Sequence, residues 1–203
     1  MADSFTTLWT NDRCKSLAQY NLEGTLLDTL FGGPHTSEPS FRRAGVKEGD
    51  YIYPVRVNKG VLYIIARMRV KEILSLEHYI ESYPDVFAGC ERSRGASVTF
   101  ENYLKIHPEN RFLAPTCTEE VVLGYESTPI RLDLVVPSDV LESLRFRSQK
   151  RERALKHIQD GRLKSVIVLQ GIYRLSEKSA DIIANLLMDQ DKPLGSTYFR
   201  SVG

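Results

Sequence analysis

The sequence has few cysteines and nothing that links them. Cys14, Cys90 and Cys117 lie far apart in the chain and form no CxxC pair. An odd number of dispersed cysteines is typical of reduced thiols, and the N-terminus lacks the basic and apolar stretches of a secretory signal. We therefore expect a cytoplasmic protein without disulfides.

Long hydrophobic runs and a strong net charge are also missing. The longest apolar runs lie near residues 61–66 and 166–169, whereas a helix that crosses a bilayer needs about 20 apolar residues. No membrane association is expected. The chain has 27 basic and 26 acidic residues, a net charge of +1. That balance argues against a surface that wraps nucleic acid as a whole, but it leaves room for a local basic face.

Motifs that carry catalysis or bind a cofactor are absent. The sequence has no P-loop, no nucleophile elbow and no glycine-rich dinucleotide fingerprint. Its histidines are scattered and none has zinc-site spacing; they are His35, His78, His107 and His157. We expect no cofactor and no metal, and we favour a binding protein over an enzyme.

Alternating apolar residues and turn signals predict a mixture of strands and helices. A strand at residues 5–9 precedes a helix that Asn11 or Asp12 caps. Asn58-Lys59-Gly60 predicts a hairpin turn between strands at 51–57 and 61–70. Further strands are predicted at 111–114, 119–125, 130–136 and 165–173, and helices at 75–87, 138–159 and 176–188.

This order predicts an α+β fold, a curled antiparallel β-barrel with helices on its outside. No low-complexity linker divides the chain. We therefore predict a single domain over residues 1–203, with an inserted or elaborated region at about 75–118.

Three stretches resemble the PUA-like superfamily, and within it the EVE and ASCH types. They are Thr7-Leu8-Trp9-Thr10, the segment GVKEGDYIYPV at residues 45–55 with its hairpin, and residues 161–176 before the closing helix. The resemblance implies a PUA-like barrel that recognises a modified base in DNA or RNA through an aromatic pocket.

Trp9 is the first candidate for that pocket. It is the only tryptophan and stands next to Thr10, Asn11 and Asp12. An indole at the end of a strand can stack a base while Asn11 or Asp12 reads the edge of the base. A core tryptophan beside helix-capping residues explains the same pattern equally well.

Tyr51 and Tyr53 are the second candidates. Side chains alternate along a strand, so both rings point to the same side. They form either two walls of a ligand pocket or part of the core by cross-strand packing.

Arginines in predicted loops are candidates for phosphate contacts, namely Arg42, Arg43, Arg92 and Arg94. The basic stretch at residues 145–156 could also follow phosphates, but a solvated helix face explains it as well.

Three functions stay open at this point. The first is a non-enzymatic reader of a modified base or nucleotide. The second is a small hydrolase of modified nucleosides, with Thr6, Thr7 or Thr10 as nucleophile beside Lys71 and Glu72. The third is a protein-interaction or sensor module of a defence system, which docks a partner such as a nuclease through residues 75–118.

Overall fold

A seven-stranded mixed sheet forms the centre of the molecule. The computed structural model describes residues 2–34, 39–92, 94–107, 117–148 and 151–190. The sheet strands are β1 (Ser4–Trp9), β2 (Thr29–Gly32), β3 (Tyr51–Asn58), β4 (Val61–Ile64), β5 (Met68–Ser75), β6 (Glu120–Tyr125) and β11 (Ile172–Arg174). Two small ribbons pack against this sheet without being part of it, one made of β7 (Arg145–Arg147) and β8 (Glu152–Ala154), the other of β9 (Ile158–Gln159) and β10 (Arg162–Leu163).

In the part of the chain that the structure describes, six α-helices lie around these strands. They are α1 (Asn11–Gln19), α2 (Phe41–Ala44), α3 (Leu76–Ser82), α4 (Ala96–Ile106), α5 (Ser138–Ser143) and α6 (Glu177–Gln190), with a 3-10 turn at Val166–Leu169. No helix in the described part of the chain is long and apolar enough to cross a membrane.

The strand order corrects one part of the predicted fold. The order is β11-β1-β3-β5-β6-β2, with β4 paired to β3. β1 and β3 run parallel, whereas the prediction was an antiparallel sheet. The chain passes through α1, β2 and α2 between these two strands, and a crossover of this kind permits parallel pairing. Among the described residues no hydrogen-bonded strand pair joins β11 to β2, so closure into a barrel stays a prediction.

The sheet consists of two halves that overlap only slightly. β3 and β5 share two register pairs, Tyr51 with Arg69 and Ile52 with Met68. β1 and β3 extend from this overlap in one direction, and β5 and β6 extend in the other, with a bulge between Val70 and Glu72. The first residues of β3 and β5 therefore lie at the junction of the two halves.

Three buried clusters cover the two faces of the sheet. The first includes Phe5, Trp9 and Ile52. The second includes Tyr53 and packs beneath α5 and α6, and the third includes Phe31 and packs beneath α3 and α4. Because side chains alternate along a strand, the second and third clusters lie on the face opposite the first.

Several predicted elements differ from the structure. The helix predicted at 138–159 ends at Ser143, and the ribbon of β7 and β8 follows it. Phe146 is buried between two more exposed arginines, an alternation that fits a strand. Thr10, rather than Asn11 or Asp12, caps α1 by accepting from the Arg13 amide at 3.2 Å.

The boundaries of other predicted strands also differ from those in the structure. The strand predicted at 61–70 divides into β4 and β5, and the run at 165–173 becomes the 3-10 turn and β11. The segment at 130–136 is an extended strip that exchanges single hydrogen bonds with β4, such as Ile64 N to Leu134 O at 3.0 Å. The strand predicted at 111–114 lies outside the described residues.

Candidate functional site

A row of polar and aromatic side chains crosses four strands at the junction of the two half-sheets. Cross-strand pairing aligns Ser4 with Tyr51, Tyr51 with Arg69, and Arg69 with Tyr125. Paired residues in a sheet point to the same face, so these four side chains form one line, which we call the Arg–Tyr row. Leu123, two residues before Tyr125, packs against the third cluster, and Tyr51 packs against the second. The row therefore bridges these two clusters on one face.

Arg69 lies between two tyrosine rings. Its guanidinium carbon is 5.5 Å from the centre of the Tyr51 ring and 5.3 Å from that of Tyr125. Glu126 pairs with it at 3.2 Å, and this hydrogen bond is the main reason that the pKa of Arg69 is raised above its ordinary value. A cation held against aromatic faces keeps a fixed orientation while it stays partly accessible to solvent.

Arg67 adds a second guanidinium to the row. Its guanidinium carbon is 5.3 Å from the centre of the Tyr51 ring. Its backbone amide donates to the Thr128 hydroxyl at 2.8 Å, which anchors the residue. Within the described structure, the Arg67 Nε is buried and has no hydrogen-bond partner. An unpaired buried donor costs about 1–3 kcal/mol, so one N–H of the Arg67 guanidinium is held without a partner, while the group also contacts Tyr53.

Tyr53 lies two residues after Tyr51 on β3 and contacts two members of the row, Arg67 and Ser4. Burial raises the pKa of its hydroxyl, while the Arg67 guanidinium and the Ser4 hydroxyl act in the opposite direction. The buried phenol stays protonated at neutral pH and contacts both groups. Tyr53 is therefore a positioning residue for Arg67 and Ser4.

Asp50 fixes the start of β1 against the start of β3. Its Oδ1 accepts from the Asp3 amide and its Oδ2 accepts from the Lys47 amide, both at 2.8 Å. The Tyr51 amide donates to the Asp3 carbonyl at 2.9 Å. Because the carboxylate is buried, these bonds hold Ser4 and Tyr51 in register.

The structure does not bring Trp9, Tyr51 and Tyr53 into one cavity. Trp9 is 2% exposed and belongs to the first cluster, whereas Tyr53 is 2% exposed and belongs to the second. The register explains the separation, because Trp9 pairs with Arg56 while Tyr53 pairs with Thr6 on the opposite face. Of the three rings, Tyr51 alone is partly exposed.

The space beside Trp9 is too small for a base. A cavity of about 10 Å³ borders the indole, with Arg13 stacked 5.3 Å from the ring centre. Such a volume holds about one water molecule. In this conformation the indole offers no surface on which a base could stack.

Asn11 and Asp12 have local partners. The Asn11 side-chain amide donates to the Val57 carbonyl at 3.2 Å and so ties α1 to β3. Asp12 is exposed and pairs with Lys15 at 3.1 Å. Their predicted contact with a base stays a prediction, and neither belongs to the Arg–Tyr row.

The four arginines predicted to bind phosphate also lie outside the row. Arg42 and Arg43 are exposed on α2, whose Phe41 packs into the first cluster on the other face. The Arg42 guanidinium donates to the Ile73 carbonyl, and that of Arg92 donates to the Pro84 carbonyl. Arg94 pairs with Glu91 at 3.5 Å. Their role in phosphate binding is untested.

The residues of the hydrolase hypothesis do not form a group. Thr6 and Thr7 are buried on β1, while Lys71 and Glu72 lie at the bulge of β5. β3 separates these two strands. Neither threonine of β1 therefore has this lysine or glutamate as a neighbouring base, and Thr10, which follows β1, accepts from the Arg13 amide as the cap of α1.

A second feature on the same face is a cleft between β2 and helices α3 and α4, which we call the aromatic cleft. It encloses about 270 Å³, and its lining includes Asp28, Thr29, Phe31, Tyr79, Phe100 and Tyr103. The backbone carbonyl of Asp28 accepts from the Gly124 amide at 2.8 Å. Gly124 directly precedes Tyr125, so the cleft and the Arg–Tyr row are neighbours.

Sequence reasoning missed Arg67, Arg69 and Tyr125. The alternation of Arg67 and Arg69 was visible within the strand predicted at 61–70. Their position opposite Tyr51 depends on the pairing of β3 with β5, which is not encoded in any local motif. The aromatic cleft depends in the same way on helices α3 and α4 closing over β2.

Comparison with known proteins gives a weak similarity of fold. No protein-family model and no curated protein matches the sequence. Solved structures with a similar α+β arrangement include the ASCH protein of Zymomonas mobilis, at 11% identity and a TM-score of 0.40, over 90% of this chain and 94% of that one. A single-substitution mutant of that protein has 10% identity and a TM-score of 0.40, over 90% of this chain and 97% of that one.

A hypothetical protein from Leishmania major is similar at 10% identity and a TM-score of 0.41, over 94% of this chain and 97% of that one. The Zymomonas mobilis structures are of an ASCH protein, and at these TM-scores they show a similar α+β arrangement and no more; the EVE part of the resemblance is not confirmed. A similarity of this size carries no argument about function, which has to rest on the site itself.

Proposed function

We propose that the protein binds single-stranded nucleic acid across the Arg–Tyr row. The observation that carries the proposal is the guanidinium of Arg69 stacked between Tyr51 and Tyr125, with Arg67 beside it. Unpaired bases stack on tyrosine rings and on guanidinium planes, and guanidinium groups bind phosphate. Tyr51, Arg69 and Tyr125 lie in one line on one face, and Arg67 contacts the Tyr51 ring.

The arrangement favours single strands over duplexes. Stacking on an aromatic side chain contributes about 1–3 kcal/mol per base, but it requires a base whose face is free. In a duplex both faces of each base are covered by its neighbours. A protein with a net charge of +1 also lacks the extended basic surface that duplex binding through phosphates uses.

The aromatic cleft is the place where this protein would accommodate a modified base. The cleft lies next to Tyr125 and is lined by aromatic rings. From the sequence, we had expected such an aromatic pocket around Trp9. A strand that lies on the row can turn one base into it, as readers of extruded bases do. A protein partner such as a nuclease stays a separate prediction, which co-purification from the native host tests.

Binding can be measured by fluorescence anisotropy with a labelled RNA of about 12 nucleotides, within the usual site sizes of single-strand binders. We expect the single strand to bind more tightly than the duplex of the same sequence. With two phosphate-binding arginines, the logarithm of the affinity should fall against the logarithm of salt concentration with a slope of about −1.4. Equal or tighter binding of the duplex would contradict the proposal, as would a slope several times steeper.

A further inference from the structure

The aromatic rings that line the cleft are inclined to one another at different angles. The Phe31 and Tyr79 rings are 6.4 Å apart and meet at 81°, whereas the Phe31 and Phe100 rings are 5.3 Å apart and meet at 37°. The cleft volume of about 270 Å³ is near the lower limit of ordinary ligand pockets, about 300 Å³. It suits a ligand of one or two fused rings.

The charge on the described lining of the cleft is negative. Among the described lining residues, Asp28 carries a charge and no lysine, arginine or histidine accompanies it. Its Oδ1 accepts from the neighbouring Thr29 hydroxyl at 3.1 Å. The faces of aromatic rings are also negative because of their quadrupoles. The lining therefore attracts a cation and repels an anion.

The ionisation of Tyr79 agrees with this pattern. Burial raises the pKa of its hydroxyl to about 12, and Tyr103, Asp28 and Tyr83 act in the same direction. The phenol thus stays protonated well above neutral pH, and its contribution to stability is present below about pH 10 and decreases as the pH rises towards 12. The contribution of Asp28 places the field of its carboxylate within the cleft.

We propose that the aromatic cleft binds a positively charged nucleobase, such as a purine methylated on a ring nitrogen and in its cationic form, with Asp28 as the counter-ion. The inference rests on the proposed function, because the base would belong to a strand held on the neighbouring Arg–Tyr row. A charged methylated base combines a flat ring for the aromatic walls with a positive charge for the carboxylate. An uncharged base offers the flat ring but lacks the positive charge.

Calorimetry with free nucleosides tests the inference without RNA, at a pH low enough for the methylated purines to be cations. We expect 7-methylguanosine or 1-methyladenosine to bind about tenfold more tightly than guanosine and adenosine, the size of a desolvated cation–π contact. Asp28→Asn should remove most of this difference, because it removes the negative charge that attracts the cation.

Two results would overturn the inference. One is equal affinity for charged and uncharged nucleosides, and the other is choline binding as tightly as the methylated nucleosides, which would assign the cleft to a compact ammonium ion. Asp28 is exposed and asparagine has the same shape, so the fold should be kept. The variant with Arg67 and Arg69 replaced by glutamine separates the two proposals, because it should lose affinity for RNA and keep the preference for methylated nucleosides. Full RNA affinity of this variant, with the nucleoside preference kept, would count against the Arg–Tyr row and not against the cleft.

Discussion

Replacing Arg67 and Arg69 together by glutamine lowers the affinity for single-stranded RNA by about two orders of magnitude. A hydrogen bond to a charged group contributes about 1.5–3 kcal/mol, and 1.4 kcal/mol corresponds to a factor of ten in affinity. The double variant loses both charges and the guanidinium plane between Tyr51 and Tyr125. Anisotropy measures the loss, and the salt dependence of binding should become nearly flat.

Arg43→Gln is the matched control for this experiment. Arg43 is an exposed arginine, and its helix packs on the opposite face of the sheet. We expect its substitution to leave RNA affinity within a factor of two of the unchanged protein. The reverse result, with Arg43→Gln weakening binding and the double variant unaffected, would assign the interface to α2 and restore the phosphate role predicted from the sequence. Circular dichroism verifies that both variants are folded.

Trp9→Ala should lower the free energy of unfolding by about 3–5 kcal/mol, as expected for the truncation of a buried aromatic residue. The indole is buried against the first cluster, and the cavity beside it has room for about one water molecule. The surrounding core cannot refill the space that the ring leaves. Denaturant unfolding measures the change.

The comparison with Tyr51→Ala separates stability from binding. We expect the folded fraction of Trp9→Ala to bind RNA with unchanged affinity, because the indole is on the other face from the Arg–Tyr row. Tyr51→Ala should show the opposite pattern, with a smaller loss of stability and a clear loss of affinity. A stable Trp9→Ala protein that no longer binds RNA would show that the indole contacts the ligand after all.

Local patterns predicted the elements that depend on neighbouring residues. Three elements lie close to their predicted positions, namely β1, the hairpin of β3 and β4, and α6. Their signals are an alternation of apolar residues, the turn at Lys59 and Gly60, and a helical periodicity, and each of these lies within a short stretch of the sequence. Ser176 directly precedes α6, and its hydroxyl accepts from the Ser179 amide at 3.3 Å. The α+β class followed from the order of these elements.

Features that depend on distant pairing were not predictable in this way. The parallel pairing of β1 with β3 sends Trp9 and Tyr53 to opposite faces, although both had been candidates for one pocket. The charged run after Ser143 had helical composition, but the burial of Phe146 makes it a ribbon. Tyr51 was named from the sequence, whereas its partners Arg69 and Tyr125 come from strands that only the folded sheet brings to it.

Photochemical cross-linking of bound RNA tests the central claim most directly. A uridine-rich single strand is irradiated on the protein, and the cross-linked peptides are identified by mass spectrometry. We predict cross-links at Tyr51 and Tyr125, the two rings that enclose Arg69. Cross-links confined to α2, to the ribbon of β7 and β8 or to the surface near Asp12 would contradict the assignment of the Arg–Tyr row as the binding surface.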